Sequence, residues 1–71
     1  MCRSGGEVTV NIAVDRKGNV VAAKVDQQTT STTDNCLFNQ AEKAALNTRF
    51  NSSTKAPELQ KGTITFRFVA Q

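Results

Sequence analysis

Histidine, tyrosine and tryptophan are absent from this 71-residue chain, and proline occurs once, at Pro57. Without histidine there is no Ser-His or Cys-His nucleophile pair and no imidazole to hold a metal. The two cysteines, Cys2 and Cys36, form no CxxC pair, so no zinc set is expected. No apolar run approaches the roughly 18 residues that span a bilayer, and no stretch reads as a signal peptide. Gly5-Gly6 and Gly18 are not followed by GxxxxGK[ST], which excludes a phosphate-binding loop of that type. The carboxylates Glu7, Asp15, Asp26, Asp34, Glu42 and Glu58 fall at turns, strand ends and a helix surface rather than as a spaced pair in a cleft. The chain therefore reads as non-enzymatic, with no catalytic residue, metal or cofactor expected.

What is present suits one small domain over residues 1–71 with a thin core: 38% of residues are hydrophobic, and a chain this short buries only about 60% of its unfolded surface. The abrupt opening, Met1 followed by Cys2-Arg3-Ser4-Gly5-Gly6, reads as an added start joined to a piece of a longer protein, with 1–5 a flexible lead-in. The net charge of +3 comes from scattered basic residues with no run beyond Arg16-Lys17. Nucleic-acid binding wants a continuous basic stripe with exposed aromatic platforms, so no nucleic-acid partner is expected. Cys2 and Cys36 are either a disulfide or two independent thiols.

Residues 7–14, EVTVNIAV, alternate with period two and place Val8, Val10, Ile12 and Val14 on one face, which predicts a half-buried strand. Asp15-Arg16-Lys17-Gly18-Asn19 supplies a hairpin turn. In the second strand Val21, Ala23 and Val25 share a phase that Val20 breaks. Either both faces are partly covered there, or a bulge after Val20 shifts the phase. The polar stretch 27–35 leads to a helix capped by Thr33 or Asp34. From Asn35 to about Asn51 the spacing of Leu37, Ala41, Ala44, Ala45 and Thr48 gives one helical face, flanked by Phe38 and Leu46, with Phe50 closing the end and Asn51 as a left-handed cap. The stretch SSTKAPELQKG reads as a second connection. In TITFRFVA, Ile64, Phe66, Phe68 and Ala70 alternate with Thr63, Thr65, Arg67 and Val69, a third strand.

The expected fold is α+β, in the order β-β-α-β: a three-stranded antiparallel or mixed sheet in the order 2-1-3, with one helix packed on one face. This order leaves the third strand on an edge. An edge strand presents unpaired N–H and C=O groups, so Thr63, Ile64, Thr65, Phe66, Arg67, Phe68 and Val69 are the candidate partner-binding residues.

Three stretches together resemble the TonB C-terminal domain family. GEVTVNIAVDRKGNVVAAKV (Gly6 to Val25) is similar to its first hairpin, NQAEKAALNTRFN (Asn39 to Asn51) to its helix, and GTITFRFV (Gly62 to Val69) to its closing strand. The spacing looks most like transducer-type domains of Bacteroides and relatives. Thr48 stands where the family commonly has an aromatic, and the family's Tyr-Pro segment has no counterpart here. The resemblance implies a periplasmic domain, anchored to the inner membrane through a segment outside this chain, that works with a proton-driven motor of the ExbB/ExbD type. It further implies that the third strand receives the TonB box of an outer-membrane transporter as an added strand. A cell-envelope assembly module of the same fold, pairing with itself as a homodimer or with another envelope protein, is the alternative. The periplasmic setting so implied also favours a Cys2–Cys36 disulfide.

Overall fold

The computed structural model describes residues 2–28, 30–51, 55 and 57–70. Parts of both expected connections, Thr29 in the first and Ser52, Ser53, Thr54 and Ala56 in the second, lie outside the described residues, as do Met1 and Gln71 at the ends of the expected domain. The elements are β1 (Gly6–Asp15), β2 (Val20–Val25), α1 (Asn35–Leu46) and β3 (Leu59–Phe68), and the sheet order is β2-β1-β3. Both ladders are antiparallel, so β2 and β3 run in the same direction on either side of β1.

Valine-rich alternation puts β1 at the centre. Val8 and Val10 are fully buried, and with Ile12, Val20, Leu37, Ala41 and Ala45 they form the core. Alanines at 41 and 45 let α1 approach the sheet closely, which is how so few large side chains close a core.

The turn between β1 and β2 is built by Asp15. Its carboxylate accepts from the amides of Lys17 and Asn19, both at 2.9 Å, and Gly18 takes a φ of +88°. Glycine is required at 18 for a second reason: a Cβ there would lie 1.9 Å from the Phe50 carbonyl oxygen. Past the turn, Val14 faces Val20 but Ala13 faces Ala22, so Val21 is the extra residue of a bulge. Val21 is 53% exposed while Val20 is buried. The bulge, rather than two covered faces, explains the broken phase.

The largest differences from the sequence pattern lie at the end of the helix and the start of the third strand, and the third strand also stops at Phe68. The helix stops at Leu46, with Asn47 rather than Asn51 as its cap, and in right-handed rather than left-handed geometry. The Thr48 hydroxyl then turns back onto the Ala44 carbonyl at 2.8 Å. Arg49 leaves to bridge with Asn19, and the Phe50 amide donates to the Gly18 carbonyl at 2.8 Å. The hairpin turn thus captures the segment that periodicity assigned to the helix, and Phe50 stays 43% exposed instead of closing the helix end. The third strand begins at Leu59, four residues before Thr63, because β1 is long enough to pair it as far as Asp15.

At the other end of the helix Asp34 is the cap. Its side chain accepts from the Cys36 amide at 2.9 Å and from the Ser4 hydroxyl. Cys2 and Cys36 are joined, their Cα atoms 5.7 Å apart, which ties the segment before β1 to the first turn of α1.

Asp15 and Asp34 both titrate below the ordinary value of 3.8. In Asp15 the largest cause is the Asn19 amide; in Asp34 it is the Ser4 hydroxyl, followed by the Cys36 amide. Their folded values are depressed, so the stability they contribute is complete above the unfolded value and is lost as pH falls through the folded ones. The thermal midpoint, followed by circular dichroism, is expected to stay flat from about pH 7 to 5 and to fall below about pH 4. A midpoint unchanged down to about pH 2 would contradict these two anchors.

Candidate functional site

The side-chain period of two and the 2-1-3 order together place β3 on an edge, with no strand beyond it among the described residues. Which of its backbone groups face outward follows from β1. On the β2 side, Asp26 donates to the Thr9 carbonyl at 2.8 Å, Ser31 to the Glu7 carbonyl at 2.9 Å and Asp15 to the Asn19 carbonyl at 2.9 Å. The amides of Glu7 and Thr9 go the same way, to the hydroxyls of Ser31 and Thr30. Successive residues of a strand direct their backbone groups to opposite sides. Val8, Val10, Ile12 and Val14 therefore address β3, where they oppose Phe66, Ile64, Gly62 and Gln60. The N–H and C=O groups of Lys61, Thr63, Thr65 and Arg67 then point away from the sheet.

The candidate residues divide accordingly. Thr63, Thr65 and Arg67 carry the outward backbone groups and have exposed side chains; Ile64, Phe66 and Phe68 bond inward and pack half-buried on the core. Val69 lies one residue past the end of β3 and is 75% exposed. On the open face of the sheet, Arg67 pairs with Glu7 at 3.0 Å and the Thr65 hydroxyl meets that of Thr9 at 3.1 Å. Both are cross-strand pairs in register, and they hold the outer side chains of β3 in place. An exposed ion pair of this kind adds little stability.

The opposite edge is managed differently. Strand β2 has six residues against ten in β3, and the Val21 bulge disrupts it. Its last outward amide, Val25, faces the Glu42 carboxylate of α1 at 3.4 Å. A short, bulged edge with a charge set against it resists pairing, whereas a long regular one invites it. Beyond β2 the hydroxyls of Thr30 and Ser31 take over the amides of β1. The composition of that loop signalled a polar connection, but nothing in it indicated that hydroxyls substitute for a strand.

The helix lies over β2 and β1 and only grazes β3. The inner face of β3 is thus poorly roofed, and the Phe66 and Phe68 rings lie 6.4 Å apart between the core and solvent. No helix among the described residues is long and apolar enough to cross a membrane, and no cluster of three or more potential metal ligands occurs among them. Compared with known proteins, the chain matches no family model, no curated protein and no solved structure.

Proposed function

We propose that this chain is a non-catalytic protein-binding module that accepts an extended segment of a partner as a fourth strand on β3. The observation that carries this reading is the regular ten-residue edge, with the backbone groups of Lys61, Thr63, Thr65 and Arg67 turned outward, opposite a second edge that is short and bulged. Backbone pairing gives affinity that depends little on side-chain identity. The resemblance to TonB C-terminal domains makes the reading more specific: a periplasmic module of an energy transducer that takes the TonB box of an outer-membrane transporter, with an ExbB/ExbD-type motor engaged through a region outside this chain. The Cys2–Cys36 bond suits such an oxidising compartment.

The test is titration of isotope-labelled protein with a synthetic TonB-box peptide. The largest amide shifts are expected at Lys61, Thr63, Thr65 and Arg67, with smaller ones at Gly62, Ile64 and Phe66. Shifts confined to α1 would overturn strand addition. The half-buried Ile64, Phe66 and Phe68, left partly open by α1, favour one second reading, a module that pairs with its own copy along β3. Sedimentation at rising concentration separates the two, because a tight homodimer leaves no edge for the peptide.

A further inference from the structure

One residue of β3 is not explained by the fold. Gly62 sits opposite Ile12 on the helix-facing side of the strand, at a position that would normally carry an apolar side chain. Its backbone has no positive φ to require glycine. A Cβ there would meet only the Ile12 Cγ1, at 3.8 Å, an ordinary contact. Glycine inside a strand weakens it and marks a bulge, a tight bend or a site of close approach. The β1–β3 register runs unbroken through Gly62, so no bulge accounts for it.

Beneath Gly62 lies an open recess of about 250 Å³, with an apolar wall of Ile12, Val14, Phe50 and Ile64 and the polar Asp15, Arg16, Asn51 and Gln60 beside it. An apolar cavity of roughly 150 Å³ is enough to hold benzene, so an aromatic ring fits in this space. The recess is continuous with the free edge: Lys61 and Thr63, which flank Gly62 and turn their backbone groups outward, also line it. Phe50, pinned by its amide to the Gly18 carbonyl, stands at its side with its ring partly in solvent. An aromatic side chain on the neighbouring strand is one device that covers a glycine at a sheet edge and pins the register.

We propose that Gly62 and the recess beneath it form a pocket for one large apolar side chain, preferably aromatic, carried by the strand that adds to β3. The pocket rests on the strand-addition reading and gives it a specificity element. An added strand that places such a side chain opposite Gly62 fixes its register, since a slip of one residue would turn the ring to the open face. The edge alone does not select a register.

The experiment uses ten-residue peptides that alternate threonine with alanine, in which a single phenylalanine replaces each alanine in turn. Phenylalanine near the middle of the peptide is expected to bind at least about tenfold more tightly than the all-alanine peptide, the order set by burying one such ring. The gain is smaller at the ends, where bringing the ring opposite Gly62 leaves part of the peptide unpaired. Gly62→Val projects a branched side chain into the recess where the ring would lie and is expected to erase that preference, while its urea midpoint equals or exceeds that of the parent. Peptides that shift the Thr63 and Thr65 amides with no phenylalanine preference would overturn the pocket and leave strand addition standing. Failure of every peptide to bind would overturn both. Self-association of the parent that Gly62→Val abolishes would assign the recess to a second copy and overturn the proposal.

Discussion

Thr65→Pro is expected to abolish peptide binding at β3 while leaving the domain folded, and Phe66→Pro, one residue on, is expected to unfold it. Proline removes one N–H and fixes φ near −65°. At Thr65 the lost N–H faces away from β1, and proline on an edge strand is tolerated when its missing donor faces outward. The same holds for Arg67→Pro, but Thr65 lies nearer the middle of the outward row. A partner strand would lose a hydrogen bond and meet the pyrrolidine ring, so a loss of at least about tenfold in affinity is expected. At Phe66 the lost N–H is one that pairs with Val8, and the half-buried ring goes with it. The unmatched backbone partner costs about 1–3 kcal/mol, and loss of the ring costs up to about 3 kcal/mol more, less than for a fully buried phenylalanine. A 71-residue domain has in total roughly 4–11 kcal/mol at typical stability per residue. Circular dichroism distinguishes the two variants, and the peptide titration is then run on the folded one. A folded Phe66→Pro together with an unfolded Thr65→Pro would invert the assignment of inward and outward groups.

Breaking the Cys2–Cys36 link has the second large effect. The two residues are 34 apart in sequence, and closing a loop of that length stabilises by roughly 3–4 kcal/mol in the chain-entropy model. For a domain this size that corresponds to a fall in thermal midpoint on the order of 20 °C. Paired replacement by alanine, or melting with and without reductant, measures it. A shift of only a few degrees would mean that Asp34 and the core hold α1 against the sheet without covalent help.

Much of the fold was legible because alternation and helical spacing reflect which side chains must be buried together. Val8 to Val14 and Ile64 to Phe68 declare their faces directly. The broken phase at Val20 narrowed the choice to a bulge or a doubly covered strand, and only the pairing of Val14 with Val20 decided it. The helix end was not legible, because Arg49 and Phe50 continue an acceptable helical pattern. What ends the helix is a contact with Gly18, 32 residues earlier in the chain. Leu59 to Gly62 carry no strand signature for the opposite reason: polar Gln60 and bare Gly62 occupy the inward phase, so the pattern of a buried strand is missing where the strand begins. For the candidate site, the sequence indicated the edge and its residues but not which amides face outward. That depends on which residues of β1 bond toward β2, which the amides of Asp26 and Ser31 on the Thr9 and Glu7 carbonyls fix, and the hydroxyls of Thr30 and Ser31 follow.

The covalent tie at Cys2 also governs how tension would run through the molecule. A pull on the backbone at Cys2 has two routes: along the chain into β1, and through sulfur into the first turn of α1. Strand β1 is the middle strand and pairs Gly6 with Phe68 and Asp15 with Leu59. A counter-force applied at the Leu59 end of β3 therefore loads the β1–β3 hydrogen bonds along the first route in shear, so that many must yield together, whereas one applied at the Phe68 end would open them one at a time. The second anchors the helix to the same point, so α1 is dragged with the sheet instead of peeling away from it. Reduced protein would retain only the first route and is expected to fail mechanically at lower force.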